Sequence, residues 1–158
     1  MSEIIAFNDL PAWCAAHRGR RLVLTNGCFD ILHIGHLRYL QTARQQGDLL
    51  LVGVNADASV RALKGPGRPV NRDQDRAELL AGLRCVDAVS IFAETTADEL
   101  IAQVQPSLYA KAGDYTLDNL PESPTLQKYG IQAVFLPFES GYSTTSTLAK
   151  ARQEGDAE

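Results

Sequence analysis

Two of the chain's three histidines, His33 and His36, stand three residues apart with Gly35 between them. At i and i+3 two side chains share one face of a helix. At a helix start they stand beside backbone N–H groups that have no partner within the helix, where an anion is favoured. Gly35 carries no side chain, so a ligand's phosphate can approach the backbone there. A phosphate site is one reading of the pair; a solvated helix start is the other. A metal pair needs further ligands, and the remaining histidine, His17, lies far off in an amphipathic leader. There is no HExxH sequence and no cysteine cluster. No Ser/His/Asp or Cys/His constellation suggests a covalent intermediate.

The elements that must position this pair follow from apolar spacing. Residues 21–25 read as a buried strand, and Leu37, Leu40 and Ala43 then fall on one helical face. Residues 49–54, 88–92, 108–110 and 133–136 read as four further strands. Asp75-Arg76-Ala77-Glu78 and Thr96-Ala97-Asp98-Glu99 have the form of capping boxes that open helices. Pro106 stops the second of these. A last helix is expected from about Ser143 to Arg152, and another, over residues 8–18, ahead of the first strand. Strands alternating with helices predict an α/β fold: a single doubly wound, Rossmann-like domain over residues 1–158, with a parallel five-stranded sheet and helices on both faces. Residues 1–20 form its helical leader, and residues 153–158 a polar, frayed tail. Ligands of such sheets bind beyond the carboxyl ends of the strands, which is where the histidine pair falls.

Composition sets the outer bounds. At 158 residues and 45% apolar content, the chain suits one globular domain. A net charge of −4 gives no support for a nucleic-acid surface, so any anion must be held locally. The acidic start Met1-Ser2-Glu3 is not expected to be a signal peptide, and the longest aliphatic run, residues 49–52, is far too short to span a membrane. Cys14, Cys28 and Cys85 are odd in number and lack metal-like spacing; reduced thiols in the cytoplasm are the simplest reading. The sequence GxxxxGK followed by Ser or Thr is absent. Gly65-Pro66-Gly67 neither runs on to a third glycine nor opens a helix after a strand, so P-loop and dinucleotide folds find no support.

His33-Ile34-Gly35-His36 resembles the HxGH signature of the nucleotidyltransferase superfamily. Class I aminoacyl-tRNA synthetases share that element but are larger and carry a KMSKS motif, which is missing here. Instead Gly141-Tyr142-Ser143-Thr144-Thr145 resembles the GxSTT element of small cytidylyl- and adenylyltransferases, about 100 residues downstream. Residues 26–33 are similar to the NGxFDxLH start of heptose-1-phosphate adenylyltransferases, as are residues 54–60 and 63–71 to segments of that family. Lys111-Ala112-Gly113-Asp114-Tyr115 is similar to its KGGDY, with Ala112 a departure. The resemblance covers residues 7–150. It implies AMP transfer from ATP to a sugar 1-phosphate, D-glycero-β-D-manno-heptose 1-phosphate above others, for ADP-heptose and lipopolysaccharide core biosynthesis. The family's domain is either fused to a sugar kinase or free-standing, so a separate kinase is expected upstream; small superfamily members are often homodimers. The rival is glycerol-3-phosphate cytidylyltransferase, whose last motif reads RTEGxSTT. Here residues 138–145 contain no arginine. A nucleotide-binding or regulatory module without turnover is an alternative of another class.

The implied reaction needs little from side chains beyond alignment and charge. A phosphate monoester has its second pKa near 6 and is largely dianionic at neutral pH, so it needs no general base. Its attack on the α-phosphorus requires in-line placement and stabilisation of the leaving pyrophosphate. His33, His36 and Lys64 are the expected catalytic set. Asn26, Gly27, Cys28, Phe29, Asp30, Gly35 and His36 are expected to hold the nucleotide, with Gly113 and Asp114 bordering the adenosine. Ser143, Thr144 and Thr145 are expected at the β- and γ-phosphates, or one of them is an N-cap. Asp114 reads equally as a turn residue. Lys64 is either a solvated loop lysine or a phosphate clamp. Arg76, in the first turn of a helix, opposes the dipole there and so points to a ligand phosphate. With Lys64, Asn55 and Asp57 it makes up the expected substrate-binding set. Mg²⁺ is expected to arrive on the nucleotide phosphates, with no protein ligand assigned.

Overall fold

A computed structural model describes residues 2–138 and 141–155. Glu139 and Ser140, just before the GxSTT element, and the tail 156–158 lie outside the described residues.

The aliphatic run that sequence pattern marks as a strand is β3 (Leu49–Asn55), all seven residues of it buried. It can be apolar throughout because helices cover both sheet faces. β3 pairs in parallel with β2 (Leu22–Gly27) from Leu22↔Leu49 to Gly27↔Val54, and with β4 (Ala88–Phe92) on its other side. β5 (Leu108–Ala112) lies on the far side of β2, and β6 (Gln132–Leu136) lies beyond β5. The sheet has six strands, not the five expected. The sixth is β1 (Glu3–Ile4), paired with β4 through Glu3↔Ala88 and Ile4↔Val89. Two exposed residues on an edge carry no alternation to read, and the supposed helical leader therefore begins as a strand.

Alternate residues along the strands feed two cores. Val23, Leu50, Val52 and Val89 pack with Tyr39 and Leu40 of α2 (Ile34–Arg44) and Ala77 and Leu80 of α4 (Asp73–Ala81). On the opposite face Leu24, Leu51, Ala88 and Tyr109 pack with Leu10 and Trp13 of α1 (Leu10–Ala16), Leu100 and Ile101 of α5 (Asp98–Val104) and Leu126 of α6 (Ser123–Tyr129). The predicted doubly wound arrangement is thus present. The strand order β1-β4-β3-β2-β5-β6 reverses at β2, so the crevice opens between the ends of β2 and β5.

Neither expected capping box forms. α4 starts at Asp73 with Arg72 as its N-cap, three residues early, and the N-termini of α3 (Asp57–Lys64) and α4 exchange bonds: Asp57 N donates to Asp73 Oδ2 (3.1 Å) and Asp73 N to Asp57 Oδ1 (2.8 Å). Thr96 donates to Asp98 instead of capping α5, and the carboxylate of Glu122 accepts from Ala97 N. α3 and α6 were not expected. The last helix, α7 (Thr144–Gly155), begins where the sequence places it.

Candidate active site

β2 delivers Asn26 and Gly27 to the crevice, and the chain turns there into α2. Phe29 sits in the left-handed region (φ 47), a strained conformation for an aromatic residue. Its ring packs so closely on Gly27 that a Cβ there would lie 3.0 Å from it. The turn ends at His33, the N-cap of α2. His36 N donates to His33 Nδ1 (3.4 Å) and His33 N to His36 Nδ1 (3.3 Å), a capping box built from two imidazoles. Both Nδ1 atoms are acceptors, so both rings are neutral with the proton on Nε2. The rings stack with centroids 3.7 Å apart. Burial, and then the His33 neighbour, drive the His36 pKa down to about 4; burial lowers His33 as well. His33 Nε2 is buried without a partner. Gly35 is buried, and the space its Cβ would fill is taken by the His33 ring at 2.9 Å and Tyr142 at 3.0 Å, so the glycine lets the histidine ring pack against the first turn of α2.

The histidines open onto a cavity of about 550 Å³ at the switch point. Its wall includes the expected Asn26, Gly27, Cys28, Phe29, Asp30, Asn55, Lys64, Ser143, Thr144 and Thr145. Ser143 caps α7, its Oγ accepting from Ser146 N at 2.9 Å, while Thr144 Oγ1 donates to Ile31 O at 3.3 Å. Asp30 is 2% exposed and anchors the loop after α3: it accepts from Arg68 Nε (2.7 Å), Val70 N (2.8 Å) and Asn71 N (3.0 Å). Burial alone would raise its pKa, but the bonds from Asn71, Val70 and Arg68 outweigh that and lower it. Lys64, at the end of α3, is exposed and makes no ion pair among the described residues. Burial pushes the Cys28 thiol up, against the opposing pull of Lys64, Arg76 and Arg68.

Two substrate-binding expectations are corrected. Arg76 is fully buried and absent from the wall. It donates to Asn71 O, Cys28 O, Asn55 O and Asp57 Oδ1, all at 2.7–2.9 Å. Carbonyls and Asp57, not a ligand phosphate, explain a cation in the first turn of α4. Asp57, occupied by Arg76 and Asp73 N, is likewise a strut. Asn55 reaches the wall, with Nδ2 donating to Glu94 O at 3.3 Å. Gly113 and Asp114 are exposed and outside the wall; their neighbours Lys111 and Tyr115 line it instead. Sequence reasoning missed Leu63, Arg68, Thr95, Thr96, Lys111, Tyr115, Pro121, Glu122 and Phe138. Of these, Leu63, Arg68, Lys111 and Tyr115 carried a signal, since they lie in segments matched to the family. Among the described residues no three His, Cys, Asp or Glu side chains gather as a metal cage, and no helix is long and apolar enough to cross a membrane.

Residues 24–150 match the Cytidylyltransferase-like family. The chain is 52% identical over 154 residues to the D-beta-D-heptose 1-phosphate adenylyltransferase of Bordetella bronchiseptica, covering 96% of this chain and 95% of that protein. It is 45% identical to the bifunctional protein HldE of Trichlorobacter lovleyi, over 95% of this chain but only 29% of the relative. Among solved structures, the lipopolysaccharide core biosynthesis protein of Thermoplasma volcanium superimposes with a TM-score of 0.64 at 27% identity, over 79% of this chain and all of that one. The pantoate-beta-alanine ligase of Francisella tularensis shares the fold, with a TM-score of 0.60 at 11% identity over 88% of this chain and 68% of that one.

Proposed function

As the chain belongs to the cytidylyltransferase-like family, we propose that it transfers AMP from ATP to D-glycero-β-D-manno-heptose 1-phosphate, giving ADP-heptose and pyrophosphate. The Bordetella relative, matched over nearly its full length, supports the substrate pair. The observation that carries the chemistry is the stacked histidine pair, two neutral imidazoles with Nε2 protons at the mouth of α2.

The sugar's phosphate oxygen attacks the α-phosphorus, and the bond to pyrophosphate breaks. The attacking oxygen is already anionic, so no residue has to remove a proton. His33 and His36 donate from Nε2 to α-phosphate oxygens, where charge grows as the leaving group departs. Fixed neutral donors at a desolvated site need no reorganisation during the step. Thr145 and the first turn of α7 meet the β- and γ-phosphates, and Lys64 clamps a phosphate from the loop side. The donor set fits a Mg²⁺ brought in by the nucleotide. Of the carboxylates in the described wall, Asp30 is already engaged by Arg68, Val70 and Asn71. When bound, the ion offsets triphosphate charge and keeps several waters. A sugar kinase supplies the acceptor, the reaction runs in the cytoplasm where ATP is at hand, and the product feeds lipopolysaccharide core assembly.

The test is a matrix of ATP and CTP against heptose 1-phosphate and glycerol 3-phosphate, scored by pyrophosphate release. ATP with heptose 1-phosphate is expected to dominate. Preference for CTP with glycerol 3-phosphate would overturn the assignment.

A further inference from the structure

Lys111 and Glu122 share the cavity wall with the histidines. Lys111 lies on β5 two residues after Tyr109 and thus on the same sheet face. It is half-buried, its Nζ sits 5.4 Å from the Tyr115 ring centroid, and it makes no ion pair among the described residues. Glu122 is 4% exposed. Its Oε1 accepts from Ala97 N at 3.1 Å, while Oε2 is buried with no hydrogen-bond partner. Buried carboxylate oxygens without donors are rare in folded proteins, and one in a ligand cavity wall calls for a donor from the ligand. Burial lowers the Lys111 pKa, and the nearby Glu122 charge opposes that.

The two groups suit one kind of ligand. A hydroxyl donates and accepts at once, so neighbouring hydroxyls satisfy an ammonium and a carboxylate together. A phosphate would be repelled by Glu122. A base needs a flat apolar neighbour, and Phe138, two residues past β6, supplies one in the same wall. Glu122 is tied instead to Ala97, after β4, on the other side of the switch point. Resting on the adenylyl transfer proposed above, we propose that Lys111 and Glu122 read the hydroxyl groups of the acceptor sugar, Lys111 as donor and Glu122 Oε2 as acceptor, against the Tyr115 ring.

Glu122→Gln tests this because it keeps an oxygen for Ala97 N and can turn the free acceptor into a donor. With ATP saturating, its KM for heptose 1-phosphate is expected to rise about ten- to a hundred-fold, the range for a hydrogen bond to a charged group. The Kd of a non-hydrolysable ATP analogue is expected to stay within about twofold, and the melting temperature to hold. Lys111→Met, which removes the charge and keeps the stem, is expected to show the same split, and carries the test if Glu122→Gln melts early. An unchanged sugar KM in both variants overturns the subsite. So does an ATP-analogue Kd that rises with the KM, which would move these residues to the nucleoside. If the wild-type protein releases no pyrophosphate with heptose 1-phosphate, adenylyl transfer itself fails and the subsite falls with it.

Discussion

His36 has a pKa of about 4, set by burial and the stacked His33, so in the free protein it is a neutral hydrogen-bond donor and not a cation. Its contribution to turnover must then come from a fixed N–H that meets growing charge. Removing such a donor typically costs on the order of 10²–10³ in rate. His36→Ala is expected to lose about that much kcat with a smaller change in ATP binding. His36→Asn retains a neutral donor and is expected to recover part of the loss. A raised KM with kcat intact would remove His36 from the chemistry. Lys64 is the opposite case, an exposed charge whose side chain makes no hydrogen bond or ion pair among the described residues. Lys64→Ala is expected to leave stability within about 0.5 kcal/mol and to cut kcat/KM strongly; normal kinetics would return it to the status of a solvated lysine. The histidines' place at a helix start was legible from type and spacing, whereas their mutual capping and ring stacking were not. Glu122 was not, because its single free oxygen depends on which carbonyls and amides the fold brings near.

At the scale of elements, the same limit explains Arg76. Its position at the start of a helix was readable, and the conflict with the dipole was real, but the resolution came from three carbonyls, those of Asn71, Cys28 and Asn55, two of them far off in the sequence. These bonds and the pair with Asp57 join the β2–α2 turn, the end of β3 and the start of α4 behind the cavity. Arg76→Met fills a similar volume yet leaves those carbonyls and Asp57 without a partner. Breaking a buried pair on one side costs about 3–5 kcal/mol, and Asp57, partly exposed, places this at the lower end. Thermal unfolding is expected to show a drop of roughly 6–12 °C, with KM for both substrates little changed in the folded fraction. A stable variant with a selectively raised sugar-phosphate KM would restore the ligand-contact reading. β2, β3 and β4 were legible from their apolar runs, as burial on both faces dictates. β1 was not, since two edge residues add pairing without pattern, and α3 was masked by the glycine- and proline-rich loop that follows it.

For the whole molecule, the site's buried titratable groups set an acid limit on stability. His36 has a folded pKa of about 4 against roughly 6.5 for an unperturbed histidine. Between those values the unfolded chain binds more protons, so stability rises with pH there and is flat, for this group, above the upper value. His33 is lowered too and acts in the same direction. The Asp30 carboxyl is depressed by its bonds to the loop after α3; its contribution is present above the ordinary carboxylate pKa and is lost as pH falls through the folded one. The groups fail in sequence, the capping box of α2 before the loop anchor. Urea denaturation midpoints measured from pH 7.5 down to 4.5 are therefore expected to hold and then fall below about pH 6.5. His36→Asn, which has no proton to gain, is expected to flatten that slope in part, leaving the share due to His33. ATP bound at the site should extend the fall to lower pH if it binds the neutral rings, and make the fall smaller if phosphate draws a proton onto them, since the folded pKa sets only the lower end of the window. A midpoint of the same pH slope in wild type and His36→Asn would show that His36 is not held neutral by the fold, and the neutral-donor account of its chemistry would go with it.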